Sequence, residues 1–320
     1  DVELICKALI TNFAKKSPTP VNIVPMKKIN KADIRQEVFD LYDDYAHNRL
    51  DRRDFIEKLT TFAVGGLTVP ALLGFIMPDY KGTLQVESND PRLNSEYVDY
   101  DSPKGGGKIK ALLSRPKSNM GKLPGIVVVH ENRGLNPHIE DVARRAALEG
   151  FISIGPDALT PLGGYPGTDD AGRELQAKRD KEEMLQDFID AFEYLKTHPE
   201  CNGKVGVVGF CFGGWISNMM AVRVPDLMAA VPFYGGQAPV EEVPGIKAPL
   251  LLHFAGLDTR VNEGWPAYVT ALQSNDKEYS AHLYPGVNHG FHNDSTPRYD
   301  FEAAILAWQR TMIFFREKLK

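Results

Sequence analysis

The stretch Gly206-Val-Val-Gly-Phe-Cys-Phe-Gly-Gly214 leaves the backbone few paths. An apolar run without helical period, Val205 to Phe210, breaks off at Cys211. Two glycines follow, and from Trp215 to about Val222 the residues read as a helix. Strand, sharp turn and helix form the setting in which a G-x-S-x-G turn lifts a nucleophile clear of a sheet, here with Cys in the Ser position. Gly209 and Gly213 are required because a Cβ at either would hold strand and helix apart. The N–H groups at the start of the helix aim towards the sulfur, where they favour a thiolate and can later hold an oxyanion.

A buried cysteine in such a turn can also simply pack, so the rest of the chain has to decide. With 320 residues, 43% hydrophobic and 25% charged, there is material for one large core and an appendage. A net charge of −5 gives no electrostatic footprint for nucleic acid. The cysteines Cys6, Cys201 and Cys211 are odd in number and show no CxxC or metal-like spacing. That argues against a disulfide framework, and neither a metal nor an organic cofactor is called for.

The chain divides by pattern into an N-terminal extension, residues 1–80, and a main domain, residues 81–320. Met26-Lys-Lys reads as a natural start, which would make residues 1–25 vector-derived or upstream sequence. From Asp33 to His47 apolar residues recur near a helical period at Ile34, Val38, Leu41, Tyr42 and Tyr45. Arg52-Arg53-Asp-Phe-Ile then precedes an uncharged stretch, Leu59 to Met77, in the manner of a twin-arginine export signal. Acidic Asp51, Asp54 and Glu57 speak against it, and the glycines and Pro70 make a poor membrane span. A helical hairpin whose second arm packs on the main domain fits the same residues. Localisation stays open between cytoplasm and periplasm, with the cytoplasm favoured.

Beyond Pro78 the pattern turns to strands. Glu96–Tyr100 and Lys108–Ser114 alternate about a Gly-rich turn, a hairpin signal. Strands and helices then alternate: Gly125–Val129, Ile139–Leu148, Phe151–Gly155, Asp180–Lys196, Val205–Phe210, Met228–Tyr234, Pro249–Phe254, Val261–Gln273, Tyr279–Tyr284 and Phe301–Leu319. This predicts an α/β fold with a mostly parallel central sheet and helices on both faces. Ligands of such sheets sit beyond the carboxyl ends of the strands.

The strand ends carry reactive groups. Gly125–Val129 ends in His130-Glu131-Asn132-Arg133-Gly134, the elbow presents Cys211, and Pro249–Phe254 runs on to Asp258. Tyr279–Tyr284 leads to His289-Gly-Phe-His292. Nucleophile, then acid, then histidine is the chain order of α/β-hydrolases. Cys211 would attack a carbonyl, His289 would take and return the proton, and Asp258 would orient the imidazole. Backbone N–H groups of Phe212 and Asn132 would form the oxyanion hole. His130, His253 and His292 are expected to be structural. Tyr165, Phe233, Tyr234 and Trp265 are candidates for lining an apolar pocket.

Val128-Val-His-Glu-Asn-Arg-Gly134, Asp141-Val-Ala-Arg-Arg145, Gly209-Phe-Cys-Phe-Gly-Gly214 and Gly286-Val-Asn-His-Gly-Phe291 together resemble the dienelactone hydrolase (carboxymethylenebutenolidase) family, over roughly residues 90–320. The resemblance implies an α/β-hydrolase fold, a Cys211–His289–Asp258 triad and a thioester acyl-enzyme formed from an ester or lactone. It also implies that Glu131 contacts the nucleophile and helps to generate the thiolate. Family members that open dienelactone bind its carboxylate with arginines, one shortly after the catalytic histidine. Here that stretch reads Gly290-Phe-His-Asn-Asp-Ser, so Arg298 or Arg133 would have to serve, or the substrate is not a small anionic lactone. The rivals are a broad carboxylesterase or thioesterase with the same triad, a catalytically silent binding scaffold, and a redox thiol protein. The partner implied is a small molecule; the sequence is silent on oligomeric state.

Overall fold

The computed structural model describes residues 29–65, 67–118 and 121–320. The segment 1–25 and Cys6 lie outside the described residues. The chain divides into two units, residues 1–34 and 35–320. In the first, the described residues form a single 3-10 turn, Lys31–Asp33, where the Asp33 carboxylate accepts from the Asn30 N–H at 3.4 Å.

The second unit is built on an eight-stranded sheet of order β1-β2-β4-β3-β5-β6-β7-β8. The strands are β1 (Leu93–Ser102), β2 (Gly107–Pro116), β3 (Leu123–Val129), β4 (Ile152–Pro156), β5 (Cys201–Phe210), β6 (Ala229–Phe233), β7 (Leu250–Ala255) and β8 (Tyr279–Tyr284). β1, β2 and β4 pair antiparallel, and all the remaining pairings are parallel. The apolar runs in the middle of the sheet are explained by burial on both faces. On β3, Val127 and Val129 enter one hydrophobic cluster while Ile126 and Val128 enter the other. β5 divides in the same way, with Val205 and Val207 on one side and Val208 and Phe210 on the other.

Helices cover both faces: α1 (Gln36–Ala46), α2 (Arg52–Thr60), α3 (Val69–Ile76), α4 (Pro137–Leu148), α5 (Asp169–Gln176), α6 (Lys181–Thr197), α7 (Phe212–Arg223), α8 (Thr259–Asn262), α9 (Trp265–Ser274) and α10 (Phe301–Lys318). α6 lays Met184, Leu185, Phe188, Phe192 and Leu195 on the sheet, the stripe its period predicts. α4 and α10 close the opposite face with Ile139, Val142, Ala304, Ala307 and Phe315. The expected single helix 261–273 is two, because Pro266 suits a helix start and the chain restarts at Trp265. α5 has no counterpart in the sequence reading; its Asp-Asp-Ala-Gly opening looks like a loop, yet Thr168 caps it by accepting from the Ala171 N–H.

The N-terminal region holds three short helices, α1 to α3, with Tyr42 and Tyr45 of α1 packed on Phe55 of α2, and it is the end of α1 that reaches the carboxyl ends of the strands. Arg52, of the paired arginines, is spent on an ion pair with Asp170 of α5, and Asp51 caps α2 by accepting from the Asp54 N–H at 2.8 Å. Among the described residues no helix is long and apolar enough to cross a membrane.

Candidate active site

Cys211 sits between β5 and α7 with φ 57° and ψ −111°, a conformation costly for any residue with a Cβ. The turn holds because its N–H donates to the Phe233 carbonyl at 3.0 Å and its own carbonyl accepts from Gly214 N–H at 3.0 Å. Both expected glycines are sterically compulsory. A Cβ on Gly209 would stand 1.9 Å from the Gly213 carbonyl oxygen, and one on Gly213 would stand 2.4 Å from that of Val129. The sulfur is nearly buried, and the Phe212 N–H opens α7 with no acceptor one turn back.

β7 and β8 deliver the other expected members. Asp258 Oδ2 accepts from His289 Nδ1 at 2.6 Å, and both side chains are buried. Burial works to raise the Asp258 pKa, but the charge and hydrogen bond of His289, with help from Arg260, hold it below the ordinary carboxylate value. The Nδ1 contact to a carboxylate fixes the tautomer and leaves Nε2 to work. That Nε2 is buried and has no hydrogen-bond partner among the described residues.

The group hydrogen-bonded to Cys211 is one that the sequence reading did not single out. His47, just past the end of α1, places Nε2 3.2 Å from Cys211 Sγ. Its Nδ1 lies 2.7 Å from the Asp43 carbonyl and 3.3 Å from the Asp43 carboxylate, one turn back. The His47 and His289 rings meet edge to face at 4.9 Å between centroids. The donor atoms of His47, Cys211 and His289 all lie within 4.8 Å of one another, a spacing that a soft cation could also use. Arg260 Nη2 lies between the two imidazoles, 3.2 Å from His47 Nε2 and 3.3 Å from His289 Nδ1.

Glu131 is buried, and its Oε2 accepts from Asn293 Nδ2 at 2.9 Å rather than pairing with Arg133. Tyr234, at the end of β6, has a positive φ of 36° and lines the cavity above Cys211. Burial first, then the charges of Glu131 and Cys211, push its hydroxyl well above the usual tyrosine range. The side chain of Asn132 donates to the Ala46 carbonyl at the end of α1, so the loop after β3 is tied to the N-terminal helix.

Several expected substrate contacts lie elsewhere. Arg133 is buried, donating to Asp169 at 2.5 Å and to the Tyr42 hydroxyl at 3.0 Å. Arg298 is buried over the Tyr42 ring at 4.9 Å, with Asp43 at 3.5 Å, and faces a side cavity behind His289. Tyr165 gives its hydroxyl to Asp169 at 2.9 Å, and Trp265 packs on Phe254 at 4.8 Å between ring centroids. Phe233 is core. A ring is as readily used for packing as for lining, which is why aromatic residues taken from sequence alone misplace a pocket.

His130, His253 and His292 are structural, as expected. His130 Nε2 accepts from the Ala158 N–H at 3.2 Å; His253 sits between the hydroxyls of Tyr284 and Thr311 at 3.0 and 3.1 Å. His292 stacks on Phe210 at 4.9 Å. Asp141 accepts from the N–H groups of Gln85 and Val86 at 3.0 and 2.8 Å, clasping the segment before β1.

Above Cys211 lies a cavity of about 350 Å³ whose walls include His47, Tyr234, Trp215, Phe212, Arg173, Lys181 and Arg260. Among the described residues no aspartate or glutamate lines it. Arg173 stacks on Tyr45 at 4.3 Å and donates to Asn48, while Lys181 lies over Trp215 at 5.7 Å. Neither has a carboxylate partner among the described residues.

An α/β sheet carrying a Cys elbow, with an Asp–His pair on later strand ends, defines the α/β-hydrolase class. The dienelactone hydrolase family model matches residues 109–319. A relative from Saccharolobus solfataricus, provisionally named a carboxymethylenebutenolidase, is 31% identical over 69% of this chain and 98% of its own length. A hydrolase fragment of Escherichia coli, provisionally named as such (YghX), is 52% identical over 36% of this chain and 97% of its own. A crystal structure provisionally described as a dienelactone hydrolase from Klebsiella pneumoniae superposes with a TM-score of 0.62 at 27% identity, covering 70% of this chain and 99% of that one. The chain belongs to the dienelactone hydrolase family and is a hydrolase of carboxylic esters or lactones. Residues 26–64, which hold α1, His47 and α2, match a separate family model described as YqhI-like.

Proposed function

We propose that the protein hydrolyses a small anionic ester or lactone through a thioester on Cys211, with His289 and Asp258 completing the triad. Cys211 Sγ attacks the carbonyl carbon, and the N–H groups of Phe212 and Asn132 hold the oxyanion that forms. The ester C–O bond breaks, the leaving oxygen takes a proton, and water then cleaves the thioester to release the acid and restore the thiol.

The observation that carries this reading is the 2.6 Å bond between His289 Nδ1 and Asp258, beside a cysteine held at φ 57° on an elbow. Strain at such a turn costs on the order of 1–3 kcal/mol and persists where it serves a site. The anionic preference rests on Arg173 and Lys181, cations in a cavity without carboxylates. It replaces Arg133 and Arg298, which are engaged outside that cavity. A broad carboxylesterase or thioesterase with the same triad is the second reading, supported by the apolar wall of Phe212, Trp215 and Met184.

Turnover of a dienelactone, p-nitrophenyl acetate and an acyl thioester by wild type, Cys211→Ala and His289→Ala tests both. The dienelactone should be fastest, Cys211→Ala should be inactive, and His289→Ala should keep no more than slow steady turnover. A fast neutral ester beside a slow lactone would move the assignment to the broad esterase. Undiminished turnover by Cys211→Ala would end the triad reading.

A further inference from the structure

We infer that His47, held by Asp43, is a second catalytic base that takes the Cys211 thiol proton in the acylation half-reaction and leaves His289 to activate the hydrolytic water. The inference rests on the proposed Cys211 nucleophile and divides the work between two imidazoles that both face it. His47 Nε2 lies 3.2 Å from Sγ, within hydrogen-bonding reach of a thiol, whereas His289 Nε2 has no partner. The Nδ1–H of His47 is directed at Asp43 by two contacts, so Nε2 is the accepting nitrogen.

His47 is held in place by contacts of the residues on either side of it. Asn48 ends α1 in the left-handed region at φ 58°, which asparagine tolerates, and Arg173 donates to its side chain. Tyr45 stacks on Phe55 at 4.5 Å and gives its hydroxyl to Asp170 at 2.8 Å. Asn132, beside the expected oxyanion hole, bonds the carbonyl of Ala46. The groups facing the imidazole are Asp43, Cys211, His289 and Arg260, with Arg298 and Arg49 acting through Asp43. Burial works to lower the His47 pKa, but Cys211 and Asp43 outweigh it and the net direction is upward.

The proton inventory closes. In acylation the S–H proton passes to His47 Nε2, the thiolate adds to the carbonyl, and the protonated His47 returns that proton to the departing alkoxide. In hydrolysis a water gives a proton to His289 Nε2 and its oxygen attacks the thioester. The C–S bond breaks, and the thiolate takes the proton back from His289.

Stopped-flow mixing with p-nitrophenyl acetate separates the halves. His289→Gln should keep a burst of p-nitrophenolate and accumulate acetyl-Cys211, with slow steady turnover. His47→Gln should lower the burst rate about 100-fold, the usual scale for losing a general base. Its iodoacetamide alkylation at pH 6 should slow about tenfold, the equivalent of one pKa unit. Because a folding defect would also slow the burst, His47→Gly is assayed with added imidazole, and recovery of the burst is expected. A wild-type burst in His47→Gln, or its loss in His289→Gln alone, would overturn the assignment to His47 while leaving the acyl-enzyme in place. Failure of wild type to acetylate Cys211 would instead overturn the proposed function itself.

Discussion

Nε2 of His47 and Sγ of Cys211 approach to 3.2 Å although the residues are 164 positions apart. The YqhI-like segment, residues 26–64, thus ends a helix beside the cavity above Cys211, where the dienelactone hydrolase family match places its elbow. His47 and His289 both turn Nδ1 to an aspartate, His289 to the Asp258 carboxylate at 2.6 Å and His47 to the Asp43 backbone carbonyl at 2.7 Å, with the Asp43 carboxylate 3.3 Å away. Removing α1 would therefore remove a wall of the cavity as well as the hydrogen bond to sulfur.

Asp258→Asn should leave the fold intact and lower kcat by about 10²–10⁴-fold, since the imidazole loses the partner that fixes its tautomer. Steady-state kinetics on any turned-over ester reads this. A loss confined to KM would show that Asp258 does no more than shape the pocket.

Arg173→Ala and Lys181→Ala should each raise KM for an anionic ester by about tenfold, equivalent to roughly 1.4 kcal/mol of lost attraction. For Lys181→Ala the methyl ester of the same substrate should be unaffected; for Arg173→Ala, which also loses the bond to Asn48 beside His47, the loss should be larger on the anionic ester than on the methyl ester. Parallel losses on the charged and neutral substrates would mean that the two cations serve packing and not recognition.

Gly209→Ala should cost at least about 3 kcal/mol or prevent folding, because its Cβ meets the Gly213 carbonyl, and backbone cannot swing aside as a side-chain end can. Gly150→Ala offers a contrast: its φ is 96°, so strain applies, but nothing lies within 4 Å of the added atom. Urea unfolding of both variants should rank Gly209→Ala far below Gly150→Ala; equal losses would contradict the steric account.

Stability should fall on acidification from pH 7.5 to pH 5.5. His130, His253 and His292 are buried, and desolvation holds each below the ordinary histidine value. Below about pH 6.5 the unfolded chain binds protons that these residues refuse, so folding loses free energy. His47 works in the opposite sense, its raised pKa stabilising the fold at low pH and ceasing to do so as pH rises through it. Asp258 and Asp294, both depressed, contribute fully above about pH 4 and so leave this window unchanged. His282, part-buried and depressed in the same way, adds to the three buried histidines; four groups against one predict a lower Tm at pH 5.5, and an unchanged or higher Tm would contradict this balance.

The sheet was legible because its strands are buried on both faces and read as apolar runs, as in Gly125–Val129 and Val205–Phe210. Cys211, Asp258 and His289 were legible because a strand end fixes where a residue lies without knowledge of its neighbours. His47 was not, since nothing in residues 33–47 records which surface their helix covers; the available signal was Asp43 and His47 one helical turn apart. Arg173 was hidden for a related reason, since α5 opens with a loop-like Asp-Asp-Ala-Gly and owes its helix to a cap and tertiary contacts. Tyr165 and Trp265 show the reverse error, in which residue type alone suggested a pocket and packing claimed the rings.

The most direct measurement is mass spectrometry of enzyme quenched in acid during turnover of a slow ester. The account predicts an acyl group on the peptide bearing Cys211, removed by hydroxylamine and absent from Cys211→Ala. Steady turnover with no adduct on that peptide, or with the acyl group on another side chain, would contradict it.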